Sequence, residues 1–412
     1  MKKHATCDVL IIGGGLAGLT LAGLLGRAGV QVVVIDKAPP LSQTTTQYDA
    51  RATAVSWATH QVLKAAGVWD RLKDHAAPLR DIRVADGGSP LFLHFDADDN
   101  DNNAPFGWNL ENALFRRALQ DNAAELRDTV THIAPAEIQE FFHTSAHAGV
   151  KLADGRSFHA PLLVGADGRH SAVRSFLNIE STQKEYKQTA LVCTIAHDTD
   201  HESVAVEHFF EDGPFALLPL PDGEDGRFRS SVIWSMPHAA AQRILKQPAT
   251  DIDAMLQKRC DPHLKGVAAV APPRGYPLGL MHAAQYTGPR MALVADAAHV
   301  IHPIAGQGLN LGMRDIALLA ESVVDRAGLG LDIGADDMLS HYASIRRTDT
   351  RHMTLFTDIL NALFSNELET AATLRRTGLG IVNQIPVLKD FFSRHAMGLG
   401  GQTGRIIQNG QL

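Results

Sequence analysis

Residues 8–36 read DVLIIGGGLAGLTLAGLLGRAGVQVVVID, and this stretch decides the fold. Val9–Ile12 is an unbroken apolar run, which is typical of a strand buried on both faces. The pattern then predicts a helix over residues 16–28, closed by Gly29, and a second β-branched strand over residues 31–36. A strand, a helix and a strand within about 30 residues predict a parallel βαβ unit.

Three glycines between the first strand and the helix form the pattern G-x-G-x-x-G. Gly13 permits the tight turn, Gly15 lets the backbone approach a pyrophosphate, and Gly18 lets helix and strand pack closely. Asp36 ends the second strand, where its carboxylate can accept hydrogen bonds from an adenosine ribose. An ATPase-type phosphate loop is excluded because Leu19 stands at the lysine position. The pattern predicts dinucleotide binding and leaves FAD and NAD both open.

The same stretch has a competing interpretation as a targeting signal. Residues 9–26 carry no charge and follow the N-terminal Met1-Lys2-Lys3-His4. Asp8 at the edge of the run, its glycine content and the strand that follows favour the nucleotide-binding unit instead.

Composition narrows the functional class further. The 412 residues are 45% hydrophobic and 20% charged, a globular mix, and a net charge of −7 argues against a nucleic-acid partner. Three separated cysteines cannot form a disulfide framework or a four-thiolate zinc site, which favours a reducing, cytoplasmic setting.

The acidic loop at 96–103 resembles a calcium loop, but Asp101 and Gly107 replace its required glycine and glutamate. We therefore expect no metal site.

The remaining chain predicts two interleaved domains and a helical tail. Helical spacing is read over residues 52–68, 110–126 and 309–326, and a β-rich block over residues 186–272. This order predicts an α/β fold in which a Rossmann-like cofactor domain is interleaved with a β-sheet substrate domain. The predicted limits are residues 1–77, 105–183 and 276–337 for the cofactor domain, 78–104 and 184–275 for the sheet domain, and 338–412 for a helical C-terminal segment.

Two later motifs also follow predicted strands. Gly165-Ala166-Asp167-Gly168 is consistent either with a cofactor contact or with a simple helix cap. In the run VADAAHVIHPIAGQGLNLG, Asp296 emerges at the carboxyl end of a buried strand, the usual ligand side of such sheets. Gly306-Gln307-Gly308 then opens a helix, which presents bare N–H groups to an electron-rich ring or carbonyl. Read alone, these glycines are also consistent with an ordinary loop.

The three motifs in this order resemble the flavoprotein monooxygenases of the para-hydroxybenzoate hydroxylase type. The finer resemblance is to the ubiquinone-biosynthesis hydroxylases, and it extends over almost the whole chain. It is carried by YDARA at 48–52, QTA at 188–190, LPLP at 218–221, YPL at 276–278, HPIAGQGLNLGMRD at 302–315 and AMGL at 396–399.

The resemblance implies an FAD site. The implied cofactor-binding residues are Gly13, Gly15, Leu16, Ala17, Gly18, Asp36, Lys37, Arg51, Asn112, Arg116, Asp167, Asp296, Gly306, Gly308, Leu309 and Asn310. Arg51 and Asn112 are expected beside the flavin or its ribityl chain, and Arg116 near the pyrophosphate or adenosine. From the residues alone, Arg51 can equally form a surface ion pair and Asn112 can be an ordinary helix residue.

One position departs from the family pattern. Ala295 stands where the family usually has glycine before the ribityl-binding Asp296. An alanine fits there if its φ is negative, so the departure bears only on how tightly flavin is held.

The resemblance also implies the reaction. NAD(P)H reduces FAD, the reduced flavin and O₂ give a flavin hydroperoxide, and its distal oxygen attacks the ring of a polyprenylated phenol in ubiquinone biosynthesis. No acid or base is obligatory, and His302 and Pro303 are candidates only because they lie near the flavin; His299 and His302 can equally be buried histidines bonded to backbone. A flavin dehydrogenase or reductase and a non-catalytic flavin-binding subunit are the rival functions.

The substrate suggests contact with a membrane. A lipophilic phenol requires an apolar path, and apolar residues near Lys389 and Arg394 approximate the spacing of an interfacial helix, with core packing as the alternative. These residues are Ile381, Ile385, Leu388, Phe391, Phe392 and Leu399. The expected setting is the cytoplasm, at the periphery of the bacterial inner membrane, with other ubiquinone-biosynthesis proteins as partners.

Overall fold

The computed structural model describes most of the chain. The described residues are 4–40, 51–86, 92–100, 103–260, 264–302, 306–364, 393–401 and 403–412. Pro303 lies outside them, and so do Ile381, Ile385, Leu388, Phe391 and Phe392 of the C-terminal apolar segment. Within the described ranges, no helix is both long and apolar enough to cross a membrane.

The strands and helices alternate in the manner of an α/β protein. In chain order the strands are β1 (His4–Thr6), β2 (Val9–Ile12), β3 (Val32–Ile35), β4 (Ala52–Ser56), β5 (Ala77–Leu79), β6 (Asp81–Asp86), β7 (Phe92–Asp96), β8 (Gly107–Glu111), β9 (Val130–Ile133), β10 (Ile138–His143), β11 (Ala148–Leu152), β12 (Ser157–Ala160), β13 (Leu162–Gly165), β14 (Ser181–His197), β15 (Val204–Phe210), β16 (Gly213–Leu220), β17 (Phe228–Pro237), β18 (Ala268–Ala269), β19 (Arg274–Ala283), β20 (Thr287–Gly288), β21 (Met291–Leu293) and β22 (His299–Val300). The helices are α1 (Leu16–Arg27), α2 (Trp57–Ala65), α3 (Asn112–Glu125), α4 (Ala172–Phe176), α5 (His238–Ile244), α6 (Ala249–Cys260), α7 (Gln307–Gly328), α8 (Asp336–Phe364) and α9 (Arg405–Asn409).

The predicted βαβ unit forms the centre of a six-stranded sheet. The spatial order is β20-β21-β13-β2-β3-β9, and every pair is parallel except β20 with β21. All residues of β2 and β3 are buried, which explains their unbroken apolar sequences. The carboxyl ends of β2, β13 and β21 lead to the three sequence motifs, so the sheet brings these motifs to one edge.

The chain between residues 81 and 300 builds a second, larger sheet. Its order is β22-β19-β14-β17-β16-β15-β6-β7, with β18 paired to β14. Only β15 and β6 pair in parallel. A parallel pair needs a long crossover connection, and the chain between these two strands, which passes through the first sheet, provides it. The predicted α/β class and the interleaving of a Rossmann-like sheet with a β-sheet unit are therefore confirmed.

Alternation along the strands gives the larger sheet two different faces. One face packs against α5 and α6 and forms a separate hydrophobic cluster. Its sheet members are Leu191, Cys193, Ile195, Phe215, Leu217, Val232, Trp234 and Met236. The alternate residues, such as Ala216 and Ile233, point to the opposite face and line a cavity.

Two predicted helices are shorter than expected. Residues 52–56 form β4 instead of the start of a helix over residues 52–68, because they pair with β8 from Ala52↔Glu111 to Ser56↔Gly107. The Ser56 hydroxyl then accepts a hydrogen bond from the Thr59 N–H and caps α2. Residues 110–111 likewise belong to β8. Pairing between distant strands overrides the helix propensity of these residues.

Two predicted domain limits fall inside long strands. β14 and β19 pair from Ser181↔Ala283 to Val192↔Arg274, across the proposed limits at residues 183/184 and 275/276. Both strands continue past these limits, with a shift of register between Glu185 and Thr189. The division into domains by residue number stays a prediction.

All three cysteines lie in the protein interior. Cys7, Cys193 and Cys260 are buried and free of disulfides. Burial raises the pKa of each thiol to about 12. They therefore contribute apolar volume to the two hydrophobic clusters.

Candidate active site

A cavity of about 810 Å³ lies where the edge of the six-stranded sheet meets the larger sheet. The starts of α1 and α7 form one wall, and the open face of the larger sheet forms the other. Nine predicted site residues line it: Gly15, Leu16, Ala17, Asn112, Asp296, Gly306, Gly308, Leu309 and Asn310. The fold thus brings most of the three motifs to one space.

The three glycines of the first motif have different structural roles. Gly13 has φ +108°, and an added Cβ would lie 2.3 Å from the Ala166 carbonyl oxygen. A Cβ on Gly18 would lie 1.9 Å from the Gly13 carbonyl oxygen. By contrast, a Cβ on Gly15 would meet no atom within 4 Å and would extend into open space. Gly13 and Gly18 are required by packing, whereas Gly15 keeps the cavity open.

Two helices begin at this cavity without a capping side chain. Gly15 is the N-cap of α1 and Gly306 that of α7, and neither cap accepts a hydrogen bond through a side chain. Their first N–H groups and positive dipole ends are therefore available to an anion or a carbonyl. Gly308 has open space around its Cα, like Gly15. This pair of helix starts fits a pyrophosphate at α1 and an electron-rich ring at α7.

Asp36 secures the glycine loop that precedes it. Its Oδ2 accepts a hydrogen bond from the Gly14 N–H, and its Oδ1 accepts one from the Ala38 N–H at 2.7 Å. Each oxygen retains a lone pair that can accept from the ribose hydroxyls expected there. Lys37 follows with an exposed side chain.

The Asp167 carboxylate has one paired and one unpaired oxygen. Oδ2 accepts hydrogen bonds from the Ala172 and Val173 N–H groups at 2.6 and 3.2 Å, so it stabilises the start of α4. Oδ1 is buried and makes no hydrogen bond to any described residue. The capping interpretation therefore accounts for Oδ2 but not for Oδ1, and Asp167 itself is not among the described residues that line the cavity. Neighbouring Gly168 lines the cavity.

Ala295 adopts a left-handed conformation with φ +52°. The expectation that an alanine at this position has a negative φ is therefore wrong. Its methyl group is accommodated because residue 312 is glycine: a Cβ on Gly312 would lie 2.6 Å from the Ala295 Cβ. The Ala295 N–H donates a hydrogen bond to Asp315 Oδ2 at 2.9 Å, which holds the strained residue in place.

Asp315 anchors a buried ionic network beneath this turn. His299 Nε2 lies 2.7 Å from Asp315 Oδ2, and Arg346 Nε donates to Oδ1 at 2.6 Å. Burial alone raises the pKa of Asp315, but His299 and Arg346 outweigh it and bring that pKa below its usual range. Arg346 also contacts Asp349, which extends the network. The sequence pattern does not reveal this role, because Asp315 lies 16 residues from its histidine partner.

Asp296 extends from the same turn into the cavity. Its side chain is accessible there, yet the surrounding protein desolvates it and raises its pKa, against the opposing influence of His299 and Arg169. A carboxylate in such weakly hydrated surroundings gains from accepting hydroxyl hydrogen bonds. This location suits the ribityl contact that the resemblance implies.

The amide of Asn310 is used within the protein. Its Oδ1 accepts from the Ser56 N–H and the Thr59 hydroxyl, and its Nδ2 donates to the carbonyls of Ala54 and Gly306. The side chain therefore joins α7 to β4 and α2. Any cofactor contact of Asn310 is left to its backbone.

Asn112 lies in the cavity lining, and Arg51 and Arg116 are its neighbours in the fold. The Asn112 N–H donates to the Arg51 carbonyl at 2.9 Å, and its Oδ1 accepts from the Thr53 hydroxyl at 2.6 Å. Arg116 follows one helical turn later on the same face of α3. The Arg51 guanidinium carbon lies 5.7 Å from the centroid of the Tyr276 ring. Arg51 and Arg116 are half-buried and do not line the cavity, whereas Asn112 does.

The two histidines bond to side chains as well as being buried. His302 Nε2 lies 3.2 Å from Gln188 Oε1, and its ring packs edge-on against Tyr186. The His302 ring is fully buried, and it is not part of the cavity lining. His299 pairs with Asp315. Both rings are therefore buried and bonded to side chains, and neither histidine is among the described residues that line the cavity.

The opposite wall of the cavity is mainly apolar. It is formed by Leu79, Ile82, Val84, Leu93, Phe95, Phe106, Ala205, Phe209, Pro214, Ala216, Leu218 and Ile233. The sequence predicts the β-rich block over residues 186–272 that supplies much of this wall, but it does not show which face lines the cavity. Period-two alternation separates the two faces, yet only the positions of α5 and α6 decide which face stays open.

Comparison with known proteins identifies the family. The FAD binding domain family matches residues 6–354. The chain belongs to this family. Ubiquinone hydroxylase UbiL of Rhodospirillum rubrum is 42% identical over 404 residues, covering 97% of this chain and 92% of that protein. The 3-demethoxyubiquinol 3-hydroxylase of Escherichia coli is 31% identical, covering 95% and 98%.

Solved structures confirm the fold. The crystal structure of p-nitrophenol 4-monooxygenase PnpA from Pseudomonas putida matches with a TM-score of 0.78 at 19% identity, covering 97% of this chain and all of that chain. The family decides between the dinucleotides in favour of FAD, and the chain is a flavin-dependent aromatic monooxygenase. Two uncapped helix starts, the open space at Gly15 and the unpaired Asp167 oxygen all fit this cofactor.

Proposed function

We propose that this monooxygenase hydroxylates the ring of a polyprenylated phenol in ubiquinone biosynthesis, with NAD(P)H and O₂ as co-substrates. The observation that carries the proposal is the asymmetry of the cavity. One wall offers backbone N–H groups, glycines and Asp296, while the other offers mostly aliphatic and phenyl side chains. A phenol with an apolar tail matches the second wall and a flavin matches the first.

The cofactor residues are assigned from their positions. The start of α1 would hold the pyrophosphate, Asp36 the adenosine ribose, Asp296 the ribityl hydroxyls and the start of α7 the flavin ring. Arg51, Asn112 and Arg116 would border the same path. When bound, FAD supplies the electron transfer from NAD(P)H and the activation of O₂.

The protein's own contribution is to position the ring and to exclude water. The apolar wall gives water few hydrogen-bond partners, so the phenol replaces weakly held solvent when it binds. A dry reaction space also limits loss of reducing equivalents as H₂O₂. The polar groups on the cofactor wall are mostly backbone groups fixed by the fold, which require little reorganisation during the reaction.

The cellular setting is proposed with the substrate. A polyprenylated phenol resides in a bilayer, so the enzyme would work in the cytoplasm at the periphery of the bacterial inner membrane, beside other enzymes of the pathway. The C-terminal apolar segment is the proposed contact, although Leu399 packs against the protein core. Truncation after Thr377 should then release the folded protein from membranes. Unchanged membrane association of a truncated protein that stays folded would contradict this part.

The reaction is tested with purified, yellow protein under ¹⁸O₂. A short-chain prenylphenol should stimulate NAD(P)H oxidation, and mass spectrometry should find one ¹⁸O atom in the ring product. A dehydrogenase or reductase would give a product without ¹⁸O. A non-catalytic subunit would show no substrate-stimulated NAD(P)H oxidation. Either result would overturn the proposed function.

A further inference from the structure

A single carboxylate interrupts the apolar wall of the cavity. Glu207 lies in β15, between Ala205 and Phe209 on the strand face that lines the cavity. Val206, one residue earlier, packs into the cluster beneath α5 and α6. Since neighbouring side chains of a strand point to opposite faces, Glu207 is directed into the cavity.

The strand register places Glu207 at the centre of a row. Glu207 pairs with Val84 of β6 on one side and with Ala216 of β16 on the other. Val84 in turn pairs with Leu93, and Ala216 with Ile233. All five residues line the cavity. The row is therefore apolar except for one carboxylate in its middle.

Glu207 differs in charge from every other residue of this row, whose other four members are aliphatic. Of the described residues that line the cavity, only Asp296, Glu207 and His395 carry an acid or imidazole. Asp296 belongs to the cofactor wall and His395 to the chain near the C terminus. Glu207 is the carboxylate of the substrate wall.

We propose that Glu207 accepts a hydrogen bond from the phenol hydroxyl of the substrate. This inference rests on the proposed function and names the group that orients the ring. A hydrogen bond to a carboxylate is shorter and about twice as strong as one between neutral groups. It draws the hydroxyl proton away from the phenol oxygen. This increases electron density at the ring carbons that receive the transferred oxygen atom. The proton stays between the two oxygens, so the step requires no other reactant.

The location also sets the orientation of the substrate. With the hydroxyl fixed at the centre of the row, the prenyl chain can extend only along the apolar residues on either side, such as Phe95 and Phe209. The carboxylate is therefore the polar group that fixes the orientation of the substrate on an otherwise apolar surface.

The test combines a protein variant with a substrate variant. Glu207→Gln keeps the shape of the side chain but removes its charge, and a short-chain prenylphenyl methyl ether removes the hydroxyl that donates. We expect the variant to hydroxylate the phenol 10- to 100-fold more slowly, with a larger fraction of NAD(P)H consumed as H₂O₂. On the methyl ether, wild-type and variant enzymes should be equally slow. This non-additivity is specific to a direct contact between the two groups.

A matched control separates the effect of contact with the substrate from the effect of losing one negative charge near the strand. Glu211→Gln removes an exposed carboxylate just beyond the same strand and should leave rate and coupling unchanged. FAD content and the unfolding temperature of each variant report structural damage. If Glu207→Gln fails to retain FAD, Glu207→Asp takes its place: it should lose rate on the phenol while still preferring the phenol to the ether.

The outcomes distinguish this inference from the proposed function. If wild-type enzyme introduces no ¹⁸O into the prenylphenol, the proposed function fails. If it does so, but phenol and ether react at equal rates, the assignment of Glu207 is overturned. Equal losses on phenol and ether in the folded variant would also overturn it, because they would show a general effect on the cavity.

Discussion

Two helices begin at the cavity, and the turns that follow the preceding strands, at Gly13 and at Ala295, are held by different means. Before α1, the chain turns at Gly13 with φ +108°, pressed against the Ala166 carbonyl. Between β21 and α7, the chain turns at Ala295, two residues after the strand ends, with φ +52° and a side chain present. At the first turn the missing Cβ is at the strained residue itself. At the second, the missing Cβ is on the facing helix, at Gly312.

The difference shows that the space needed at a tight turn can be provided by a glycine in the turn or by a glycine in the helix packed against it. A φ near +52° is within the left-handed region that an L-residue adopts at a cost of about 1–2 kcal/mol, whereas φ +108° is outside it. Ala295 is therefore tolerated where its methyl group has room and its N–H has a fixed acceptor in Asp315. Gly13 has neither option, because backbone atoms surround it.

The largest effect is expected from a methyl group at the first turn. Gly13→Ala combines a forbidden φ with a Cβ 2.3 Å from a carbonyl oxygen, so we expect no FAD-loaded protein to be recovered. The measurement is the ratio of flavin to protein absorbance after purification. Gly29→Ala is the matched control: its φ is +84°, but nothing lies within 4 Å of the added Cβ. Normal flavin content in Gly13→Ala would show that close approach does not matter there.

A smaller effect is expected from removing the anchor of the second turn. Asp315→Asn leaves Arg346 and His299 without their buried partner and should reduce the free energy of unfolding by about 3–5 kcal/mol. Because the folded pKa of Asp315 is below its usual range, its contribution is complete above about pH 4 and is lost as pH falls. The variant should accordingly lose stability less steeply than wild type on acidification. Denaturant unfolding from pH 7 to 3 measures both effects, and parallel curves would contradict the assignment.

The smallest effect is expected where the methyl groups face each other. Gly312→Ala brings a second Cβ within 2.6 Å of the Ala295 Cβ and should cost about 1–3 kcal/mol, with weaker FAD binding. Adding Ala295→Gly restores the space, so the double variant should recover most of the stability and the flavin affinity. A double-variant cycle by thermal unfolding and flavin fluorescence measures this coupling. Additive losses would mean that the two residues do not share one space.

The sequence predicts many of the residues at the helix-start side of the cavity, because that side consists largely of backbone. The glycines before α1 and α7 and the carboxylates Asp36 and Asp296 follow directly from short-range patterns of strand, turn and helix. The resemblance to a flavoprotein family then identified FAD, and the family match confirms it.

The substrate wall was missed for a physical reason. Glu207 is one acidic residue in a strand of alternating character, and its meaning depends on β6 and β16, which pair with it from distant parts of the chain. The same holds for Gly312 and Ala295, since only the packing of α7 against the turn brings them together. The helix predicted over residues 52–68 failed likewise, because its first five residues find a partner in β8.

The buried cysteines have a consequence for an enzyme that handles O₂. Peroxide attacks the thiolate and not the thiol. Burial raises the pKa of each thiol to about 12, so the thiols stay protonated at neutral pH. Cys7, Cys193 and Cys260 are all shielded in this way. The cysteines of the folded protein should therefore resist the peroxide that unproductive turnover releases at its own active site, and they should become vulnerable only when the chain opens.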